Sequence, residues 1–174
     1  MKKYKSVDHL LYAAVKVVEK LPEAKFIIIG RDDYLSELKH LAEKLGIRSN
    51  VEFPGYISIE DKITLLQKSH CLAYTSIKEG WGISNIEANA CGTPVVAADV
   101  PGLRDSVDNN VSGLLYEYGN IDDLAEKLLL ILTDEKLRQK LDKGAVKWAK
   151  KFTWDLTANK FNAVLQERYP QLYY

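Results

Sequence analysis

A chain of 174 residues is long enough for one domain that buries roughly 70% of its unfolded surface without disulfide staples. Its 24 Lys and Arg balance 24 Asp and Glu, which argues against a dedicated duplex nucleic-acid binder. The 47% hydrophobic and 28% charged content is ordinary for a globular domain, and no apolar run approaches the ~20 residues that span a bilayer.

The opening Met1-Lys2-Lys3-Tyr4-Lys5-Ser6 turns amphipathic at once and does not read as a signal peptide. Val7, Leu10, Leu11, Ala14, Val15 and Val18 form one helix face, with Ser6 as N-cap and Pro22 just past the end. Lys25-Phe26-Ile27-Ile28-Ile29-Gly30 reads as a buried parallel strand. Leu35, Leu38, Leu41, Ala42 and Leu45 mark a second helix, closed by Gly46. Val51-Glu52-Phe53 is a strand entering the Pro54-Gly55 turn, and Ser58 opens a third helix carrying Ile63 and Leu66. Cys71 to Tyr74 is a strand, followed by a loop with Gly80 and Gly82 and a helix through Glu87 to Cys91. Val95 to Ala98 and Gly113 to Tyr116 are the last strands.

From Asn120 the pattern gives three helices: 120–132, 135–150 and 153–169. The expected fold is therefore α/β: an open, doubly wound, mostly parallel sheet over residues 1–119, with a helical tail over 120–174 as an appendix. Ligands in such sheets bind at the carboxyl ends of the strands.

The stretch Lys78-Glu79-Gly80-Trp81-Gly82-Ile83-Ser84-Asn85-Ile86-Glu87 carries the chemistry. Gly80 and Gly82 permit positive φ and close backbone approach. The N–H groups from Gly82 to Asn85 would open a helix, a ready site for a phosphate. Glu79 before the turn and Glu87 one turn in could hold hydroxyls at both ends of a diphosphate-linked sugar. A blander alternative stays open on spacing alone. Ser84 and Glu87 fit a capping box, in which Glu87 merely bonds the Ser84 backbone.

With Ala88, Ala90, Cys91, Gly92, Pro94, Val95 and Val96, the stretch resembles the signature of family 4 retaining glycosyltransferases. The resemblance extends along essentially the whole chain. It implies the Rossmann-like, C-terminal, nucleotide-sugar-binding half of a GT-B enzyme, with the N-terminal acceptor domain absent. On it, Glu79 is the catalytic residue, contacting donor-sugar hydroxyls and stabilising an oxocarbenium-like transition state. Backbone around Gly82, Ile83 and Ser84 would hold phosphate, with Gly80 and Asn85 also in the donor site, Glu87 would hold the ribose, Lys5 the leaving diphosphate, and Gly55 and Tyr56 the base. The donor is a nucleoside diphosphate sugar, and no cofactor or metal is expected. Three scattered His and two distant Cys offer no ligand cluster either.

The resemblance also implies a loss. The family's donor domain begins with a central strand ending in Gly-Arg, which this chain lacks. Ile27 to Ile29 and Leu72 to Tyr74 would then face a gap that the sheet closes directly, fills with a strand from another copy, or leaves as a groove. Pro101-Gly102 stands where the family commonly has Gly-Gly.

Cys71 and Cys91 read as buried free thiols and fit a reducing compartment, so a cytoplasmic location is expected. His70 reads as structural, His9 and His40 as surface residues. Lys136 to Lys151 reads as a solvated basic face, with contact to an anionic membrane as the alternative. Apolar residues of the last helix, among them Trp154 and Phe161, are expected to be exposed and to invite self-association. The rival to the enzyme reading is a non-catalytic nucleotide-sugar-binding fragment, or a subunit of a split enzyme with a separate acceptor chain. A phosphorylase or epimerase is a third reading, disfavoured by the spacing of the two Glu.

Overall fold

The computed structural model describes residues 2–31 and 34–173. Its elements run α1 (Val7–Lys20), β1 (Phe26–Ile29), α2 (Tyr34–Lys44), β2 (Val51–Gly55), α3 (Ile59–Lys68), β3 (Leu72–Tyr74) and α4 (Ile83–Ala90). Then follow β4 (Val95–Ala98), α5 (Leu103–Ser106), β5 (Gly113–Tyr116), α6 (Ile121–Thr133), α7 (Glu135–Ala149) and α8 (Trp154–Arg168). The fold is α/β with parallel strands, as the sequence predicts.

Side-chain caps start four of the helices. Ser58, Asn120, Asp134 and Thr153 each accept a hydrogen bond from the backbone N–H three residues on. Ser6 holds the N-cap position of α1 but does not cap it. It sits at φ +46, and its hydroxyl pairs instead with the Tyr118 hydroxyl at 2.9 Å.

The sheet is in two pieces. β1 pairs in parallel with β2, and β3, β4 and β5 form a separate parallel sheet in that order. Among the described residues no ladder joins the pieces, so the sheet has not closed directly, and β1 and β3 each keep one unpaired edge. This corrects the expectation for β1. Ile28 is buried, but Ile27 and Ile29 on the other face are each 39% exposed. A strand in a two-stranded sheet lacks the neighbours that would cover both its faces.

Helix α1 ties the pieces together. Leu11 and Ala14 pack with Ile28, Leu38, Ala42 and Val51 beside the first sheet. Ala13 and Val17 pack with Val95 to Ala98, Leu114, Leu124 and Ile131 beside the second. The chain start ties them again. Lys3 reaches Glu37 of α2 at 3.6 Å, while the Tyr4 carbonyl accepts from the Ile77 N–H at 3.0 Å just beyond β3.

The helical tail is not an appendix. α6 buries Leu124, Ala125, Leu128 and Ile131, and α7 buries Leu141, Ala145 and Ala149, because their apolar faces complete the layer over the second sheet and α4. Only α8 stands apart. It buries no residue, and its Trp154 is 90% exposed. Among the described residues no helix is long and apolar enough to cross a membrane.

Gly144 lets the 108–112 loop rest on α7. A Cβ there would lie 1.9 Å from the Val111 carbonyl oxygen. Gly144→Ala would gain about 1 kcal/mol of helix propensity but force a rigid backbone apart at a cost of about 1–3 kcal/mol. The expected net result is a lower Tm, measured by thermal denaturation; a raised Tm would mean that the loop yields freely.

Candidate functional site

Parallel strands put the loops after β3 and β4 at one end of the second sheet, and Glu79 hangs there in a cage of donors. Lys5 Nζ bonds its Oε1, Ser76 Oγ donates to the same oxygen at 2.8 Å, and Tyr74 Oη does so at 3.3 Å. Lys5 Nζ also donates to Tyr74 Oη at 3.1 Å. Every one of these bonds falls on Oε1, and among the described residues no hydrogen bond falls on Oε2.

Burial alone would raise the Glu79 pKa, but the hydrogen bonds from Lys5 and Ser76 outweigh it and hold the carboxyl below its ordinary range. Burial likewise works to lower Lys5, but its bonds to Glu79 and Tyr74 push it up to about 12. At neutral pH the pair is therefore fully ionised. Lys5 lies 74 residues from Glu79 in sequence, and the short helical turn Lys3–Lys5 delivers it.

Gly82 makes the turn into α4. It has φ +77, and a Cβ there would lie 2.7 Å from Leu103 Cδ2. No side chain caps α4, so the first-turn N–H groups of Ile83 and Ser84 have no intrahelical acceptor. Asn85 is placed differently from the expectation. Its N–H donates to the Gly82 carbonyl at 2.9 Å, and its fully buried side chain donates to Ser106 Oγ at 2.8 Å. Asn85 supports the turn from inside rather than facing a ligand. Gly80 departs too, having ordinary φ and open space where a Cβ would stand.

The capping-box alternative is not what forms. Glu87 reaches no backbone N–H; its Oε1 accepts from Lys62 Nζ on α3 at 2.7 Å. On the first sheet, Gly55 turns at φ +80 and its carbonyl accepts from the Gly30 N–H at 2.9 Å. Tyr56 follows, 67% exposed, with the Arg31 guanidinium 4.3 Å from its ring centre. The structure thus brings Lys5 and Glu79 into contact and sets Glu87 one turn along α4. It leaves Gly55 and Tyr56 at the end of the other sheet.

Several supporting residues, Gly102 apart, carry no signal in the sequence. Tyr74 and Ser76 hold Glu79, and Lys62 holds Glu87. Gly102, at φ +85, lets the chain pass so near Glu79 that a Cβ would lie 2.2 Å from the Glu79 carbonyl oxygen. Trp81 packs edge-on to Phe152 at 4.8 Å, pinning the glycine loop to the end of α7. Pro101-Gly102 was the one visible signal among these.

Burial pushes the Cys71 thiol up to about 12, and Cys91 is raised by burial and by Glu87, so neither is a ready thiolate. His9 is half-buried against Tyr118, ring centres 5.2 Å apart, rather than on the surface, because Tyr118 folds over the start of α1. His70 is exposed rather than structural, lying in the turn between α3 and β3. Lys136, Lys140, Lys143 and Lys147 line a shallow groove along α7. A second groove, of about 580 Å³, runs between α1 and α6. Neither groove includes Glu79 or Glu87. Among the described residues no three His, Cys, Asp or Glu side chains group as metal ligands would.

Residues 1–148 match the family described as glycosyl transferases group 1. The D-inositol 3-phosphate glycosyltransferase of Kribbella flavida is 33% identical over 88% of this chain. The poly(glycerol-phosphate) alpha-glucosyltransferase of Bacillus subtilis is 32% identical over 94% of it. The chain spans 38% and 25% of the lengths of these two relatives. Among solved structures, a variant of S. aureus TarM in complex with fondaparinux, alpha-GlcNAc-glycerol and UDP superposes with a TM-score of 0.87 at 29% identity, over 94% of this chain and 33% of that one. Anabaena HepE in complex with UDP-glucose superposes with a TM-score of 0.83 at 26% identity, over 97% of this chain and 46% of that one. Glu79, Glu87 and the uncapped start of α4 lie within the matched residues, and the chain belongs to the glycosyl transferases group 1 family.

Proposed function

We propose that the chain is the donor-binding, C-terminal half of a family 4 retaining glycosyltransferase of GT-B architecture. It would bind a nucleoside diphosphate sugar whose sugar passes to an acceptor held by the other half. The observation that carries the reading is the Lys5–Glu79 pair beside the uncapped start of α4, with Glu87 one turn further in.

A nucleoside diphosphate sugar asks for hydroxyl acceptors at both ends and anion donors between them. Glu79 Oε2 and Glu87 supply the acceptors. Lys5 and the first N–H groups of α4 supply the donors, aided by the helix dipole. Tyr56 would lie against the base. Ionised at neutral pH, Glu79 cannot donate a proton. It would act by charge, opposing the positive charge that builds on the anomeric carbon as the diphosphate leaves. Lys5 would neutralise that diphosphate while Tyr74 and Ser76 keep Glu79 in place. Lys5 and the helix dipole would thus take up the phosphate charge without a metal ion.

Calorimetry with UDP, GDP and UDP-glucose tests the reading. Binding of at least one nucleotide is expected, with no sugar turnover and no change on adding EDTA. Absence of binding to all three would overturn the reading, and loss of binding in EDTA would overturn its metal-free part. The exposed face of α8 favours a second reading, a nucleotide-sugar-binding subunit of a split enzyme. Copurification with a separate acceptor-domain chain would distinguish it.

A further inference from the structure

We propose that Lys62 is a positioning residue that orients Glu87 toward the ribose hydroxyls. The inference rests on the donor-site reading and extends it to a residue on a different helix.

Lys62 Nζ donates to Glu87 Oε1 at 2.7 Å, and the side chains are 34% and 40% exposed. An ion pair so open to water adds little to stability. Its effect lies in geometry. Glu87 has three side-chain torsions and no backbone partner, so without Lys62 its carboxylate would sample several rotamers. Lys62 occupies one site on Oε1 and leaves the other site there, and the whole of Oε2, for incoming hydroxyls.

The helix presenting Lys62 is itself fixed at both ends. At the start of α3, Ser58 Oγ accepts from the Asp61 N–H at 3.0 Å. Near its end, the Leu66 carbonyl accepts from Thr93 Oγ1 at 2.6 Å, which ties α3 to the entry of β4. Lys62 therefore approaches α4 from a braced position.

Titration of the chain with UDP and with 2′-deoxy-UDP tests the proposal, or with GDP and its 2′-deoxy form if the wild type prefers guanine. One hydrogen bond to a charged acceptor corresponds to a preference for the ribonucleotide of about 10-fold or more. Lys62→Met should reduce that preference to about 3-fold or less, and Lys62→Arg should restore most of it. Glu87→Ala should abolish it, and adding Lys62→Met to Glu87→Ala should change nothing more. If Lys62→Met kept the full preference, or weakened both nucleotides equally, Lys62 would not be orienting Glu87, while the ribose role of Glu87 would stand. If Glu87→Ala kept the preference, the ribose role itself would fall, and this inference with it.

Discussion

Lys5→Met is expected to weaken nucleoside diphosphate binding by about 10- to 100-fold, since a hydrogen bond to a charged group contributes about 1.5–3 kcal/mol. It should also change how the chain responds to acid. In the wild type, the Glu79 carboxyl lies below its ordinary value of 4.5, so its contribution to stability is present above that value and is lost as pH falls through the depressed one. Lys5 is shifted the other way, from 10.5 to about 12. Its contribution is present below 10.5 and is lost as pH rises through about 12. The pair should therefore contribute a constant amount across neutral pH. Without Lys5, burial continues to raise the Glu79 pKa and only the neutral donors Ser76 and Tyr74 oppose it. The variant should begin to lose Tm at a higher pH than the wild type as acid is added. Parallel pH–Tm profiles together with unchanged affinity would show that Lys5 neither holds Glu79 nor meets the diphosphate.

Gly102→Ala should be among the most damaging single substitutions in the chain. The new Cβ would stand 2.2 Å from the Glu79 carbonyl oxygen and 3.0 Å from that of Gly80, on a residue with φ +85. Positive φ costs a non-glycine residue about 1–3 kcal/mol, and forcing backbone apart adds about 1–3 kcal/mol. At about 2–4 °C per kcal/mol for a chain of this size, Tm should fall by roughly 4–24 °C. Whatever folded protein remains should bind nucleotide more weakly, because the clash relaxes most easily by displacing the segment that carries Glu79. Gly80→Ala is the control. Gly80 has open space and an ordinary φ, so its change should stay within about 0.5 kcal/mol. Equal effects at the two positions would refute the argument from close approach.

The comparison of Gly80 with Gly102 also shows where sequence reading stops. Local physics was legible. β4 and β5 have the predicted bounds, because short apolar runs between turn residues leave little choice. Ser58 caps α3 because a serine ahead of a polar turn has an N–H within reach. The resemblance implies a gap between the strands but leaves open whether the sheet closes over it, and periodicity is silent on both. Long-range partnerships were not legible. Nothing in the neighbourhood of Lys5 says that a residue 74 positions on will hold it, and nothing around Gly102 says whose backbone it must clear. Ser84 and Glu87 have the spacing of a capping box, and only the approach of Lys62 from α3 shows where the Glu87 carboxylate goes. Asn85 failed for a related reason. The expectation counted its N–H among the free donors of the first turn, and the Gly82 carbonyl takes that N–H instead.

The two-piece sheet has a consequence for how the molecule opens. Backbone ladders make strands unfold together, and here no ladder crosses from β1 to β3. The two units, which share α1 and the first few residues, are therefore expected to open with different free energies. The smaller unit, around Ile28, Leu38 and Val51, buries fewer side chains and should exchange its amides first. Under the proposed function, the donor's base lies on this unit and its phosphates and sugar on the larger one. A bound nucleotide sugar would then act as a clasp between them, its binding energy setting the excess population that stays closed.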